Sequence, residues 1–284
     1  MEVPERRRAV AATLRTVRSQ GLAADEALLL SNSNKIILRV RPSDVVARVA
    51  PVGQMDGRFE LELAGRLAEA GCPVVAPEPR LEPLVHQEGG FAITLWAYVP
   101  PSAARTSPED YARALDELHR GLRTLDLAAP LATDRVASAH RLVSDPDLSP
   151  ALGGADRALL VRTLTDLGGV LDQADHQLMH GEPHPGNLLA TPDGPLFVDL
   201  ETCCRGPVEF DLAHAPPDVA ARCHGVDRLL LRQCQILVLA MITAWRWDRD
   251  DQFPNGIELA GLWTEQLRAA LQGSEDVAPR ALGD

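Results

Sequence analysis

The sequence is short of lysine, of paired cysteines and of long apolar runs. Its single lysine, Lys35, stands against 27 arginines, a bias typical of codon usage in a GC-rich genome. An arginine where chemistry often uses lysine is therefore weak evidence of altered function. The five cysteines, with Cys203 and Cys204 adjacent, make a poor disulfide framework and contain no C-x-x-C pair for structural zinc.

No segment of the sequence predicts a membrane span. The longest uninterrupted apolar run, 236–242, is far shorter than the roughly 20 residues that a spanning helix requires. Arginines at positions 6–8 precede an apolar run of only four residues, 9–12, which is too short for a signal peptide. The 45% hydrophobic and 24% charged content is ordinary for a globular protein. We therefore expect a cytoplasmic protein without membrane contact.

Negative charge is concentrated after residue 100. Residues 1–100 contain 12 basic and 12 acidic residues, and the remainder contains 16 basic and 28 acidic, so the second part carries the whole net charge of −12. Such acidity argues against a nucleic-acid partner and favours a cationic ligand, although solubility alone explains many acidic surfaces.

The periodicity changes near residue 100. A helix over 5–19 precedes strand-like runs at 27–30, 35–41 and 45–49, which predict a three-stranded meander. A helix over 56–70 and a further strand pair ending in "FAITLWAYV" complete an α+β region. After two prolines the pattern turns helical, with helices predicted from Ser107, over 155–175, over 227–247 and over 256–271. We predict two domains, 1–99 and 100–284.

The stretch "HGEPHPGN", His180 to Asn187, combines histidines, a carboxylate and an amide on a loop that two prolines keep from forming a regular helix. The short strands "NLLA" and "PLFVDLE" follow it around the turn "TPDG" and predict a hairpin. A hairpin brings Asn187 at its entrance and Asp199 at its exit towards one point. An amide oxygen and a carboxylate suit Mg²⁺, and Glu182 could accept a proton from an attacking hydroxyl. This set of groups is the equipment for phosphoryl transfer.

The motifs "HGEPHPGNLL", "FVDLE" and "GPVEFDLAH" together resemble the aminoglycoside phosphotransferase family, small-molecule kinases with a two-lobed protein-kinase-like fold. The resemblance covers nearly the whole chain. It implies a small antiparallel sheet with a helix, then a larger, mostly helical lobe. Glu182 stands where the family has its catalytic-loop aspartate, Asn187 and Asp199 match the magnesium ligands, and His180 and Asp211 match residues that hold the loop.

The resemblance also implies a nucleotide site in the first hundred residues. The turn of Ser31, Asn32, Ser33 and Asn34 resembles the phosphate-covering loop, although it lacks glycine. Arg48 occupies the position of the phosphate-gripping lysine, Glu60 is similar to its helix partner, and Glu62 is the next candidate. "LWAYVP" resembles the hinge, in which the backbone of Trp96, Ala97 and Tyr98 would bind adenine. "LDELH", ending at His119, resembles the helix after the hinge.

These residues predict an enzyme that uses ATP and Mg²⁺ to phosphorylate a small molecule, with a cationic, aminoglycoside-like acceptor the leading candidate and a monomer or homodimer as the assembly. The segment 244–256 could be a substrate lid or a surface loop. A catalytically silent binding protein of the same fold is the alternative, because Glu182, Arg48 and the glycine-free turn depart from the family pattern. A zinc hydrolase using His180, Glu182 and His184 is disfavoured, because its H-E-x-x-H motif needs a helix that the prolines exclude.

Overall fold

The computed structural model describes residues 1, 3–32, 35–273 and 277–279. The chain forms two compact units, one of Met1–Asp110 with Leu188–Glu201 and one of Tyr111–Asn187 with Thr202–Asp284. The first unit thus extends past residue 99, where the sequence predicts a domain boundary, and includes the hairpin that follows Asn187.

A five-stranded antiparallel sheet organises the first unit, in the order β1-β2-β3-β5-β4. The predicted three-stranded meander is confirmed and forms one side of this sheet. The strands are β1 (Ala24–Asn32), β2 (Ile36–Pro42), β3 (Val45–Pro51), β4 (His86–Glu88) and β5 (Phe91–Ala97).

The two faces of the sheet have different tasks. Ile36, Leu38 and Val40 alternate along β2 and are fully buried in a cluster with α1 (Val3–Ser19), as the period of two in a strand requires. Arg48 on β3 pairs with Thr94 on β5, and both side chains are buried outside this apolar cluster. Helix α2 (Arg58–Glu69) supplies the buried Glu60 that contacts Arg48. One face is therefore apolar, and the other carries the polar residues of the site.

The predicted hairpin after Asn187 is present as β7 (Leu188–Leu189) and β8 (Leu196–Phe197). Phe197 is fully buried, its backbone N–H donates to Pro73 O at 2.8 Å, and its carbonyl accepts from Val75 N at 3.0 Å. These bonds fix the end of β8, two residues before Asp199.

The second unit is mostly helical. One of its core clusters includes Val136, Leu160, Phe210 and Leu237, each at most 5% exposed. A two-stranded antiparallel pair joins β6 (Gln177–Met179) to β9 (Cys204–Gly206). The helices are α3 (Pro108–Arg123), which begins in the first unit, α4 (Ala132–Ser144), α5 (Gly154–Gly168), α6 (Val208–Leu212), α7 (Pro217–Ala220), α8 (Arg228–Arg246) and α9 (Gly256–Leu271).

The short helices α6 and α7 were not predicted from the sequence, and two longer helices also differ from the prediction. The helix predicted over 155–175 ends at Gly168, because two consecutive glycines there have a low helix propensity. Helix α4 was not predicted, since its polar residues obscure the four buried positions Ala132, Val136, Ala139 and Val143.

Helix α8 is long and apolar enough to cross a membrane by length and composition. Half of its most apolar window is buried within the chain, and α8 packs against α4, α5, α6 and α9. A core helix passes the same test of length and composition, so this feature is weak evidence for a membrane span.

Two glycines of the α2 region test whether a positive φ and a crowded Cβ position make glycine necessary. Gly57, the N-cap of α2, has φ 68°, and a Cβ there would lie 2.9 Å from Thr94 Cγ2. Gly65 lies within α2 and has no atom within 4 Å of a built Cβ. We expect Gly57→Ala to lower the free energy of unfolding by about 1–3 kcal/mol. Gly65→Ala should raise it by about 0.5–1 kcal/mol. Urea unfolding of the two variants measures both effects, and equal effects would contradict the argument.

Candidate active site

Arg48 is the buried centre of a charge cluster in the first unit. Its Nη1 donates to Glu60 Oε1 and its Nη2 to Asp199 Oδ1, and the residue is 8% exposed. Glu60 Oε1 also accepts the backbone N–H of Leu200 at 3.0 Å. Glu60, the predicted helix partner of Arg48, is thus one of the residues that Arg48 contacts. Through Leu200, Glu60 is also linked to the backbone next to Asp199, the other residue that Arg48 contacts.

The cluster shifts the protonation of its members in opposite directions. Burial alone would lower the pKa of Arg48, but the neighbouring carboxylates of Glu60 and Asp199 outweigh it and raise that pKa. Burial would raise the pKa of Asp199, but Arg48 and Lys35 outweigh it and lower that pKa. Burial dominates at Glu60, whose pKa is raised despite Arg48. Of Glu60 and Asp199, Asp199 is therefore the carboxylate whose charged form the cluster favours.

Lys35 is a residue of this cluster that the sequence reasoning missed. Its Nζ lies 3.3 Å from Asp199 Oδ1 and contacts Glu201 Oε2. The signal was available, since Lys35 is the chain's single lysine and immediately follows the predicted phosphate turn. Lys35, immediately before β2, and Arg48, on β3, therefore converge on the same carboxylate.

The acidic groups of the cluster fit a hard divalent cation. Carboxylate oxygens of Glu60, Asp199 and Glu201 all lie within 4.8 Å of one another. Among the described residues, the buried Oε2 of Glu60 has no hydrogen-bond partner. Oxygen donors in this density suit Mg²⁺. Asn187, the other predicted ligand, donates its Nδ2 to Glu182 O at 2.9 Å, which leaves its amide oxygen as the atom that could bind a metal.

The other predicted nucleotide-site residues are placed unevenly. Ser31 and Asn32 are the last residues of β1, whereas Ser33 and Asn34 lie outside the described residues. Trp96 and Ala97 end β5, and Ala97 donates its backbone N–H to Ala76 O at 3.1 Å. Because this N–H is already hydrogen-bonded within the protein, the predicted adenine contacts would have to use other backbone groups of the segment.

The side chains of the predicted hinge contact two arginines. The guanidinium of Arg48 lies 5.6 Å from the ring centroid of Trp96. Tyr98 accepts a hydrogen bond at 2.9 Å from Arg39, whose guanidinium lies 3.7 Å from the Tyr98 ring centroid. Both aromatic residues of the segment are thus held by cations of the same sheet.

In the second unit, Asp211 holds the start of the loop His180 to Asn187, as predicted for a loop-bracing residue. The fully buried carboxylate accepts the backbone N–H groups of His180 at 2.8 Å and Gly181 at 2.7 Å. His119 Nε2 lies 2.9 Å from Asp211 Oδ2. Burial would raise the pKa of Asp211, but these hydrogen bonds and the nearby histidines outweigh it and lower that pKa.

Gly181 has no substitute at its position in the loop. Its φ is 89°, and a Cβ there would lie 2.0 Å from Thr202 O. Only glycine fits both the positive φ and the close backbone approach. This conformation sets the direction of the backbone immediately before Glu182.

Glu182 contacts Arg135, a second residue that the sequence reasoning missed. Arg135 Nη2 donates to Glu182 Oε1, and Nη1 donates to Gly181 O at 2.9 Å. Both side chains are largely buried, with 15% and 23% exposure. Arg135 lies on α4, the helix that periodicity did not reveal, and no local signal links it to the loop.

The rest of the loop is fixed by its own hydrogen bonds. Tyr111 donates its hydroxyl to Pro183 O, and His184 Nδ1 accepts the backbone N–H of Gly186 at 3.0 Å. His184 thus shapes the loop, and its ring nitrogen is engaged there. This arrangement differs from the paired histidine ligands of a zinc hydrolase.

A cavity of about 540 Å³ adjoins Glu182 in the second unit. The predicted lid segment, 244–256, contributes Trp245, Arg246 and Phe253 to its wall. The first two belong to the end of α8, and only Phe253 lies in the following loop.

The chain matches the model of the phosphotransferase enzyme family over residues 27–250. No curated protein matches it. The match spans both units and includes the charge cluster and the loop of Glu182.

Solved kinases share the fold. An amicoumacin kinase in complex with AMP-PNP, Ca²⁺ and Ami is similar with a TM-score of 0.70 and 10% identity, over 99% of this chain and 98% of that one. A choline/ethanolamine kinase family protein from Mesorhizobium loti has a TM-score of 0.66 and 17% identity, over 96% of both chains. A spectinomycin phosphotransferase in complex with ADP and spectinomycin has a TM-score of 0.63 and 12% identity, over 92% of this chain and 98% of that one. The predicted fold class is confirmed.

Asp211 provides a stability test of the loop. We expect Asp211→Asn to lower the free energy of unfolding at pH 7 by about 3–5 kcal/mol, because it removes one partner of a buried charged network. The folded-state pKa of Asp211 is depressed, so its contribution is present above the unfolded pKa and is lost as pH falls through the folded value. The difference between wild type and variant should therefore shrink below about pH 4. Urea unfolding at several pH values measures it.

The exposed Asp218→Asn, in the neighbouring α7, is the matched control and should change stability little. A difference for Asp211→Asn that does not depend on pH would contradict the role of the charge.

Proposed function

We propose that this chain, which belongs to the phosphotransferase enzyme family, transfers the γ-phosphate of ATP to a hydroxyl group of a small molecule. The family and the fold support an ATP-dependent small-molecule phosphotransferase. The single observation that carries the residue assignment is the convergence of Arg48 and Lys35 on the charged Asp199.

In the proposed reaction, the acceptor oxygen attacks the γ-phosphorus, the bond to the β-phosphate oxygen breaks, and ADP leaves with that electron pair. Glu182 orients the hydroxyl and takes its proton late in the transfer. Asp199 and the amide oxygen of Asn187 would hold Mg²⁺, which supplies neutralisation of the phosphate charge. Lys35 and Arg48 would bind the phosphates.

The departures from the family pattern are consistent with activity. Arg48 replaces a lysine but keeps the positive charge, and its planar fork contacts Glu60 and Asp199 through two different nitrogens. Lys35, whose Nζ contacts Asp199 and Glu201, adds a compact point charge of the kind that binds phosphate. Glu182 is one methylene longer than aspartate and pairs with Arg135.

The acceptor's charge is a separate matter from the reaction. The acidic excess after residue 100 predicts a cationic, aminoglycoside-like acceptor. A cationic acceptor would have a KM that rises with ionic strength, whereas the KM of MgATP would change less. The alternative of a silent binding protein remains distinct, because it predicts stabilisation by ATP without ADP release on any acceptor.

Asp199 tests the metal assignment. We expect Asp199→Ala to abolish Mg²⁺-dependent ATP turnover, because it removes the charged oxygen ligand while Arg48 keeps Glu60 as a partner. Turnover assays over a Mg²⁺ titration, with circular dichroism to check folding, measure this. The control Asp193→Ala removes an exposed carboxylate from the turn of the same hairpin and should leave turnover unchanged. Normal Mg²⁺ dependence in Asp199→Ala would remove Asp199 from the site.

Glu182 tests the proton transfer. We expect Glu182→Gln to lower kcat roughly 10²- to 10⁴-fold with a much smaller change in acceptor KM, since size is kept and the base is lost. Glu182→Asp should also lose activity, because the shorter side chain gives up the reach with which Glu182 meets Arg135. Single-turnover rates at saturating MgATP measure both. Unchanged rates in Glu182→Gln would show that the carboxylate has a structural role only.

A further inference from the structure

The residues that line the cavity beside Glu182 indicate a different class of acceptor from the net charge of the chain. Glu182, His184 and Pro185 of the loop line it, so a molecule bound there would lie against the proposed base. Its volume of about 540 Å³ is in the range of sites for drug-sized molecules. Assigning the acceptor to this cavity rests on the proposed function, in which Glu182 takes the proton of the acceptor hydroxyl.

The walls of the cavity are aromatic and apolar. Trp245 and Ile242 of α8, Trp263 of α9 and Phe253 of the connecting loop contribute to them. Such walls favour a ligand with a flat or bulky apolar body, since aromatic side chains bury large areas and stack on planar groups.

The charged side chains that line the cavity are already compensated within the protein. Glu182 is paired with Arg135, and Arg246 lies 3.2 Å from Asp251. Glu182 is the one acidic residue of the wall in the described part of the chain. A polycationic acceptor would need several uncompensated carboxylates, which this wall does not offer.

A single ammonium group could instead bind an aromatic face, but the protein's own cations lie near two of these faces. The guanidinium of Arg135 lies 5.3 Å from the Trp245 ring centroid, and that of Arg246 lies 4.5 Å from the Phe253 centroid. A ligand cation at either ring would meet a like charge. The neighbouring imidazole of His214 also lines the cavity, and burial, then the Arg135 charge, lower its pKa to about 3, so it is neutral at pH 7.

We propose that the acceptor is an uncharged hydroxyl compound with an aromatic or bulky apolar body, and that Trp263 provides a stacking surface for it. The acidic excess of the second part of the chain then serves the exposed surface rather than the cavity. This acceptor class differs from the cationic one that the net charge predicts.

A matched pair of alcohols tests the proposal. 3,3-Dimethyl-4-(2-naphthyl)butan-1-ol and (2-hydroxyethyl)dimethyl(2-naphthylmethyl)ammonium have the same shape and differ by a quaternary carbon or nitrogen. We expect the neutral compound to bind the full chain at least about tenfold more tightly in isothermal titration calorimetry, with a Kd that changes little with salt concentration.

Two variants on α9 link binding to the cavity. Trp263→Ala should raise the Kd of the neutral compound by about tenfold, because it removes a stacking wall. Ile257→Ala, at an exposed position that does not line the cavity, should leave that Kd unchanged. Circular dichroism and urea unfolding check that Trp263→Ala remains folded.

The outcomes separate this inference from the proposed reaction. Tighter, salt-sensitive binding of the ammonium compound, no binding of either compound, or binding that is indifferent to Trp263→Ala would each overturn the acceptor class. If the neutral compound binds through Trp263 but no phosphate ester forms with MgATP, the acceptor class stands and the phosphotransfer proposal fails for this compound. Ester formation that also requires Asp199 supports both.

Discussion

A guanidinium buried in the first unit must be matched by carboxylates, because an unpaired buried charge costs several kcal/mol. Arg48 meets this requirement with one nitrogen on Glu60 and another on Asp199. Glu60 also accepts the N–H of Leu200, so α2, β3 and the segment after β8 are tied at one point. The position of Asp199, on which the proposed metal and phosphate chemistry depends, therefore follows from the burial of a single cation.

The same principle fixes the loop of the second unit with the opposite charge. Asp211 is a buried anion that is stabilised by two backbone N–H groups and by His119. Because two of the partners of Asp211 are backbone N–H groups, Asp211 fixes the path of the backbone at His180 and Gly181. The positive φ of Gly181 and the adjacent Thr202 carbonyl leave the chain little freedom before Glu182.

Local patterns in the sequence predicted the elements whose burial is regular. The alternation in β2 and the predicted helix start after Ser107 are examples. The short motifs contain Asp199 and Asp211, and Glu60 was predicted from the family resemblance alone. Residues that act through contacts distant in sequence were missed. Arg135 reaches Glu182 from 47 positions away, and Lys35 reaches Glu201 from 166 positions away. No periodicity encodes such pairs, because they depend on how complete elements pack. The engaged N–H of Ala97 is a similar case, since its partner Ala76 lies in an irregular segment.

Net charge and local charge lead to different expectations about the acceptor. Exposed carboxylates such as Asp116 and Glu117 on α3 contribute to the net charge of −12 and are screened by water and salt. Charges at the cavity act over a few ångströms and with less screening, and there Glu182 and Arg246 each have a partner of opposite sign. A ligand in the cavity responds mainly to the near groups. The aromatic wall and the paired charges therefore have more weight for acceptor recognition than the acidic surface, which acts mainly on solubility and on the approach of charged molecules.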